Sequence, residues 1–84
     1  MRHARDHDLD RLELLLERLR TLTGLVEKKR GVFYRKSKSF LHFHEDPKGL
    51  FADIRTEDFS DFERVDVTGP EGRDHLVTLA MKRT

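Results

Sequence analysis

Near the start of the chain, leucines recur at spacings of three and four residues, which is the period of a helix that buries one face. The pattern predicts an amphipathic helix from about Asp8 to Thr21, and Thr23-Gly24 breaks it. We expect residues 1–7 to be a frayed lead-in and residues 25–29 to add one further helical turn. The leucines of the stripe are Leu9, Leu12, Leu15, Leu16, Leu19 and Leu22.

The middle of the chain alternates between apolar and polar positions, which is the period of a strand. Asp46-Pro47-Lys48-Gly49 is a strong turn sequence, because proline presets its second position and glycine is free at its last. Short links join the predicted strands, so we expect an antiparallel meander. The strands are Val32 to Arg35, Ser39 to His44, Leu50 to Arg55 and Phe62 to Val67.

A second helix is predicted to close the chain. Thr68 and Glu71 have the spacing of a capping box, and Pro70 is tolerated in the first turn. The helix should run to about Lys82, although Gly72 weakens it slightly. The predicted fold is a single two-layer α+β domain of order α-β-β-β-β-α, in which both helices cover one face of a four-stranded antiparallel meander.

The hairpin turn determines which side chains share a face. It sets His42 opposite Asp53 and His44 opposite Phe51, because slipping by one residue would scatter the apolar set. The predicted core face consists of Leu41, Phe43, Leu50, Ala52 and Ile54. The opposite face consists of Phe40, His42, His44, Phe51, Asp53 and Arg55.

In a two-layer fold, this second face is open to solvent or to a partner. It mixes aromatic rings, imidazoles and charges, and an apolar patch rimmed by charge often marks an interaction surface. The leading hypothesis is a non-enzymatic, cytoplasmic binding or interaction domain that holds a ligand or partner on this face. One such partner is a second copy of the chain, bound through the face or a sheet edge. No activated nucleophile or phosphate-binding glycine loop is visible.

The motif His42-x-His44 has an alternative interpretation. Two residues apart on a strand, both imidazoles point the same way, and Asp53 lies across from His42. Two histidines and one carboxylate are a known ligand set for divalent metals, so a metal-dependent activity is the second alternative. The same three residues also suit a solvated cross-strand pair. No cofactor is expected on the leading hypothesis, and the metal alternative adds one divalent ion.

Composition narrows the remaining classes of function. The 17 basic and 16 acidic residues leave a net charge of +1, which gives no global attraction to nucleic acid. Cysteine is absent, so disulfides and thiolate metal sites are excluded. The chain contains no apolar run long enough to span a membrane.

A local basic cluster nevertheless keeps nucleic-acid binding as the first alternative. Cations interleaved with aromatic rings on a sheet can neutralise phosphates and stack bases. A solvated turn and a protected strand edge explain the same lysines. The basic residues of this alternative are Arg35, Lys36, Lys38 and Arg55.

Two segments, Leu22 to Glu27 and Val32 to Phe40, are followed by an apolar hairpin. Together they resemble the MmcQ/YjbR-like proteins and their YdhG-like relatives, which are small bacterial proteins with a helix, an antiparallel sheet and a closing helix. The resemblance covers roughly Leu19 to Val67. It implies the fold predicted above, and it implies DNA binding only as a suggestion made for some members. This chain is shorter, and its segment His42 to Asp46 departs from the family pattern.

Overall fold

The chain forms one antiparallel sheet packed against helices, and the computed structural model describes residues 2–84. The predicted α+β class is confirmed, but this described part contains six strands and three helices rather than four and two. None of these helices is both long and apolar enough to cross a bilayer. The elements are β1 (Arg2–His3), α1 (Asp6–Asp10), α2 (Glu13–Arg20), β2 (Leu25–Lys29), β3 (Val32–Arg35), β4 (Lys38–Asp46), β5 (Gly49–Arg55), β6 (Phe62–Asp66) and α3 (Pro70–Arg83).

Strand β1 is the first element that differs from the prediction. The sheet order is β2-β3-β4-β5-β6, and β1 pairs with β4, His3 opposite His44. Because β5 pairs with His44 from the other side, β1 continues the edge of β4 that β3 begins. β4 extends past β3 and offers unpaired backbone groups there, which a strand satisfies. Residues 2–7 therefore hold β1 and the start of α1 instead of a frayed lead-in.

Residues 25–29 form β2 instead of a helical turn. β2 pairs with β3, Val26 opposite Tyr34. Gly24 and Gly31 flank it with φ angles of 91° and 78°, in the left-handed region that glycine adopts without strain. Between these two turns the edge of β3 offers backbone hydrogen-bond partners, and residues 25–29 use them as a strand.

The predicted first helix is divided at Arg11 and Leu12. Their N–H groups donate to carbonyls three residues back, at 3.2 Å and 2.9 Å, which tightens the chain between α1 and α2. The leucines of the predicted stripe pack in the core on both sides of this break, with Leu22 only partly buried. The apolar spacing therefore predicted the buried stripe correctly, but it did not predict the interruption.

The register of β4 against β5 is as predicted, with His42 opposite Asp53 and His44 opposite Phe51. All five residues of the predicted core face are at most 3% exposed. They share one core with the leucines of α1 and α2 and with Leu76, Val77 and Ala80 of α3. We call the opposite side of β4 and β5 the outer face.

Phe40 does not lie on the open surface as predicted. The register of β3 against β4 shifts between Phe33 and Tyr34, which leaves Phe40 as the extra residue of a β-bulge. A bulge re-aims the side chain, and Phe40 is fully buried in the core, where its ring stacks on Phe59 at 5.8 Å. Strict alternation cannot reveal such a shift, because the shift depends on the neighbouring strand.

Helix α3 begins one residue later than the capping box predicts. Gly69 occupies the N-cap position and Pro70 opens the helix. The Thr68 hydroxyl instead accepts the backbone N–H of Leu50 at 3.0 Å. Thr68 therefore joins the link before α3 to the start of β5 and does not cap the helix.

Candidate metal centre on the outer face

Two histidines and an aspartate meet in the middle of the outer face. Alternation along β4 points His42 and His44 the same way, and the register brings Asp53 beside them. His42 Nε2 lies 3.6 Å from Asp53 Oδ2, and His44 Nε2 lies 3.0 Å from the same oxygen. One ligand atom from each residue converges within 4.8 Å. We call these three residues the His–Asp cluster.

The Nε2 atom of His44 is buried and makes no hydrogen bond within residues 2–84. Its 3.0 Å contact with Asp53 is short, but it lacks the direction that a hydrogen bond requires. Metal–ligand distances of about 2.0–2.2 Å place two ligands of a tetrahedral ion about 3.4 Å apart. The two contacts to Asp53 Oδ2, 3.0 Å and 3.6 Å, bracket that separation. Two of the three separations therefore suit ligands around a shared centre, and all three ligand atoms lie within 4.8 Å of one another.

Arg64 of β6 holds the carboxylate from the far side. Its Nε and Nη2 donate to the two oxygens of Asp53 at 2.9 Å and 3.0 Å, a bidentate pair that fixes the plane of the carboxylate. The pair follows from the register of β5 against β6. Sequence reasoning missed it because the link 56–61 leaves that register undefined.

At neutral pH the cluster combines a charged carboxylate with a neutral imidazole. Burial works to raise the pKa of Asp53, but the hydrogen bonds and charge of Arg64, helped by the imidazoles, outweigh it and lower that pKa below 3.8. Burial and then the charge of His44 lower the pKa of His42 below 6.5, against the attraction of Asp53. The carboxylate is therefore ionised while His42 is neutral, which leaves an imidazole lone pair free to bind a metal.

The lowered pKa of His42 predicts a stability that falls with acidification in metal-free protein. Below pH 6.5 the unfolded chain takes up a proton that folded His42 refuses, so the free energy of unfolding falls until the lower folded pKa is reached. One proton contributes a slope of at most about 1.4 kcal/mol per pH unit. Urea unfolding between pH 7.5 and 5 in the presence of a chelator measures the slope.

His42→Gln should remove the contribution of His42 to the slope of the free energy of unfolding against pH. The matched change His75→Gln, at an exposed histidine of α3, should leave that slope unchanged. The other groups that face His42 are His3, His44, Asp53 and Arg64, and both variants retain them. An unchanged slope in His42→Gln would contradict the assignment to His42.

Two further side chains flank the cluster. The ring of His3 on β1 lies 4.9 Å from that of His44 and 5.9 Å from that of His42. Phe62 of β6 packs edge-on against His42 at 5.0 Å. His3 escaped prediction because it fell in the expected lead-in. For Phe62 the available signal was the alternation along its strand, which sets Phe62 and Arg64 on the same face.

The other predicted residues of the outer face have different surroundings. Phe51 is partly buried and lies opposite His44. Arg55 donates from Nε to the carbonyl of Ser39 at 2.8 Å, and its guanidinium lies 4.2 Å from the centre of the Phe62 ring. Arg55 therefore serves to pack one end of the outer face.

The four basic residues of the nucleic-acid alternative fall into two pairs. Lys36 is exposed in the turn between β3 and β4, and Lys38 is exposed as the first residue of β4. Arg35 and Arg55 lie against the ring of Phe59, with guanidinium carbons 5.5 Å and 5.7 Å from its centre. Two of the four are thus engaged in packing within the chain.

Neither a protein-family model nor a characterised protein nor a solved structure significantly matches this sequence, so the candidate centre is argued from its own geometry.

Proposed function

We propose that this chain is a metal-binding domain that holds one divalent transition-metal ion on its outer face through His42, His44 and Asp53. The observation that carries the proposal is the buried, unbonded Nε2 of His44, 3.0 Å from a carboxylate oxygen. A buried polar atom without a hydrogen bond is costly, and coordination to an ion would use its lone pair. The ligand expected on the outer face is then a metal ion.

The ligand set favours zinc-like ions over calcium or magnesium. Imidazole nitrogen suits zinc, copper, iron and nickel, whereas calcium and magnesium prefer sites built of oxygen alone. Three protein ligands leave at least one coordination position for water or a small molecule. That open position is the feature that a metal-dependent activity would use.

Arg64 has two opposing effects on such an ion. Its bidentate pair orients Asp53, as groups behind metal ligands commonly do. Its positive charge also repels a cation, which weakens binding. The Arg64 side chain is 50% exposed, so solvent screens part of this repulsion.

Zinc titration by calorimetry tests the proposal, on protein purified without an oligohistidine tag. We expect one ion per chain, and we expect His42→Ala to weaken binding about tenfold or more, because it removes a nitrogen ligand. His75→Ala, which changes an exposed histidine of α3, is the matched control and should bind as the unaltered chain does. Absence of binding by the unaltered chain, or equal binding by His42→Ala, would end the proposal.

Nucleic-acid binding is supported less well than metal binding. Its exposed cations, Lys36 and Lys38, lie at one turn, and the overall charge is balanced. The resemblance to the MmcQ/YjbR-like proteins, and the DNA binding suggested with it, stays a prediction. Salt-dependent binding of a labelled oligonucleotide at low ionic strength would favour this alternative.

Self-association and a cytoplasmic location also remain predictions. The exposed large hydrophobic residues of the described chain are Leu14, Val26 and Met81, and they belong to α2, β2 and α3. An apolar contact between two copies would use those residues in preference to the outer face. Light scattering of the purified chain measures its oligomeric state.

A further inference from the structure

We infer that His3 is a fourth, exchangeable ligand of the metal centre proposed above, so this inference rests on that function. β1 pairs with β4 so that His3 lies directly opposite His44. Directly opposed residues of antiparallel strands project from the same side of a sheet. β1 therefore brings a third imidazole to the His–Asp cluster.

The spacing of the three rings supports this assignment. A metal–nitrogen distance of about 2.0–2.1 Å, plus roughly 1.1 Å from nitrogen to ring centre, places two imidazoles on a tetrahedral ion about 5.2 Å apart. The ring centres of His42 and His44 are 4.9 Å apart, and those of His3 and His44 are also 4.9 Å apart. The remaining distance, between His3 and His42, is 5.9 Å. All three distances lie within 1 Å of the expected value.

His3 reaches the ion by turning about its side-chain bonds. The ligand atoms that already converge within 4.8 Å belong to His42, His44 and Asp53. The side chain of His3 is exposed, so its rotation disturbs no packed core. We therefore expect the first three residues to form the fixed part of the centre and His3 to form the movable part.

His3 also lines a cavity, which gives its ring room to leave the ion. It has a volume of about 350 Å³, and Lys28, Lys29 and Tyr34 line it together with His3. With His3 bound, four protein ligands close the centre, as in structural zinc sites. With His3 turned away, one coordination position opens, and a small neutral or anionic ligand can take it.

Cobalt(II) is the probe for the test, because its visible spectrum reports the number and type of ligands. The tag-free chain is compared with His3→Ala and with His7→Ala, a nearby histidine that contacts Asp8 outside the cluster. We expect His3→Ala to weaken cobalt binding about tenfold or more and to change the spectrum. His7→Ala should match the unaltered chain.

Free imidazole then distinguishes a ligand from a merely structural residue. Added to cobalt-loaded His3→Ala, it should occupy the open position and restore the spectrum of the unaltered chain, whose own spectrum should not change. In the unaltered chain, zinc should also shift the ring resonances of His3 in NMR spectra, a measurement that needs no variant.

The outcomes separate this inference from the function on which it rests. Normal affinity and an unchanged spectrum in His3→Ala, or no response to imidazole, would overturn the role of His3 and leave the three-residue centre intact. If the unaltered chain binds neither cobalt nor zinc, the proposed function and this inference both fail.

Discussion

Replacing Phe40 with alanine is expected to lower the free energy of unfolding by about 3–5 kcal/mol, the range for truncating a buried phenylalanine. Phe40 is fully buried, and its ring stacks on Phe59. Its removal leaves a cavity beside the bulge of β4, which the paired strands on both sides prevent from collapsing. Urea unfolding with linear extrapolation measures the loss.

Phe51→Ala is the matched control for this prediction. Both phenylalanines were predicted to lie on the same open face, but Phe51 is only partly buried. We expect its truncation to cost less than half as much. If both variants lost the same small amount, Phe40 would lie on the surface, as alternation alone predicts.

Replacing Gly72 with alanine is expected to destabilise the chain by about 3 kcal/mol, the upper end of the usual cost of overpacking. A Cβ at this position would lie within 2 Å of the carbonyl oxygen of Asp66, a backbone atom that cannot move without displacing β6 or α3. Alanine in an ordinary helix position instead stabilises by about 1 kcal/mol. The sign of the change is therefore diagnostic, and thermal and urea unfolding both measure it.

Gly69 provides the control on the same helix. A Cβ at Gly69 would meet no atom within 4 Å, and its φ of −115° suits any residue. We expect Gly69→Ala to change stability by less than about 1 kcal/mol, the small cost of losing glycine at an N-cap. A stabilising Gly72→Ala would show that α3 does not approach β6 as closely as described.

The His–Asp cluster was predictable because the information that defines it is local. The Asp46 to Gly49 turn and the two-residue period of the strands set His42 opposite Asp53, and the structure has that pairing. The role of Arg64 was not predictable in the same way. Its strand follows a six-residue link, 56–61, that permits several registers, so only the folded sheet shows which residue faces Asp53.

The role of Gly72 depends on residues that are near it only in the folded structure. From the sequence it only weakens a helix, since glycine is a poor helix former. In the fold it permits the close approach of α3 to the end of β6. Tertiary packing overrides local propensity here, because the alternative is a clash between two backbones.

By itself, the sequence determined the antiparallel α+β architecture, the leucine stripe and the faces of the central hairpin. Those features follow from period, turn chemistry and the burial of apolar side chains, all of which act between near neighbours. Only the tertiary structure decided that Phe40 is buried at a bulge, that Arg64 holds Asp53 and that β1 brings His3 to the cluster. Each of these depends on which distant backbone fills an open edge or sets a register. Hydrogen bonding between strands determines that choice, and no periodicity within a single strand encodes it.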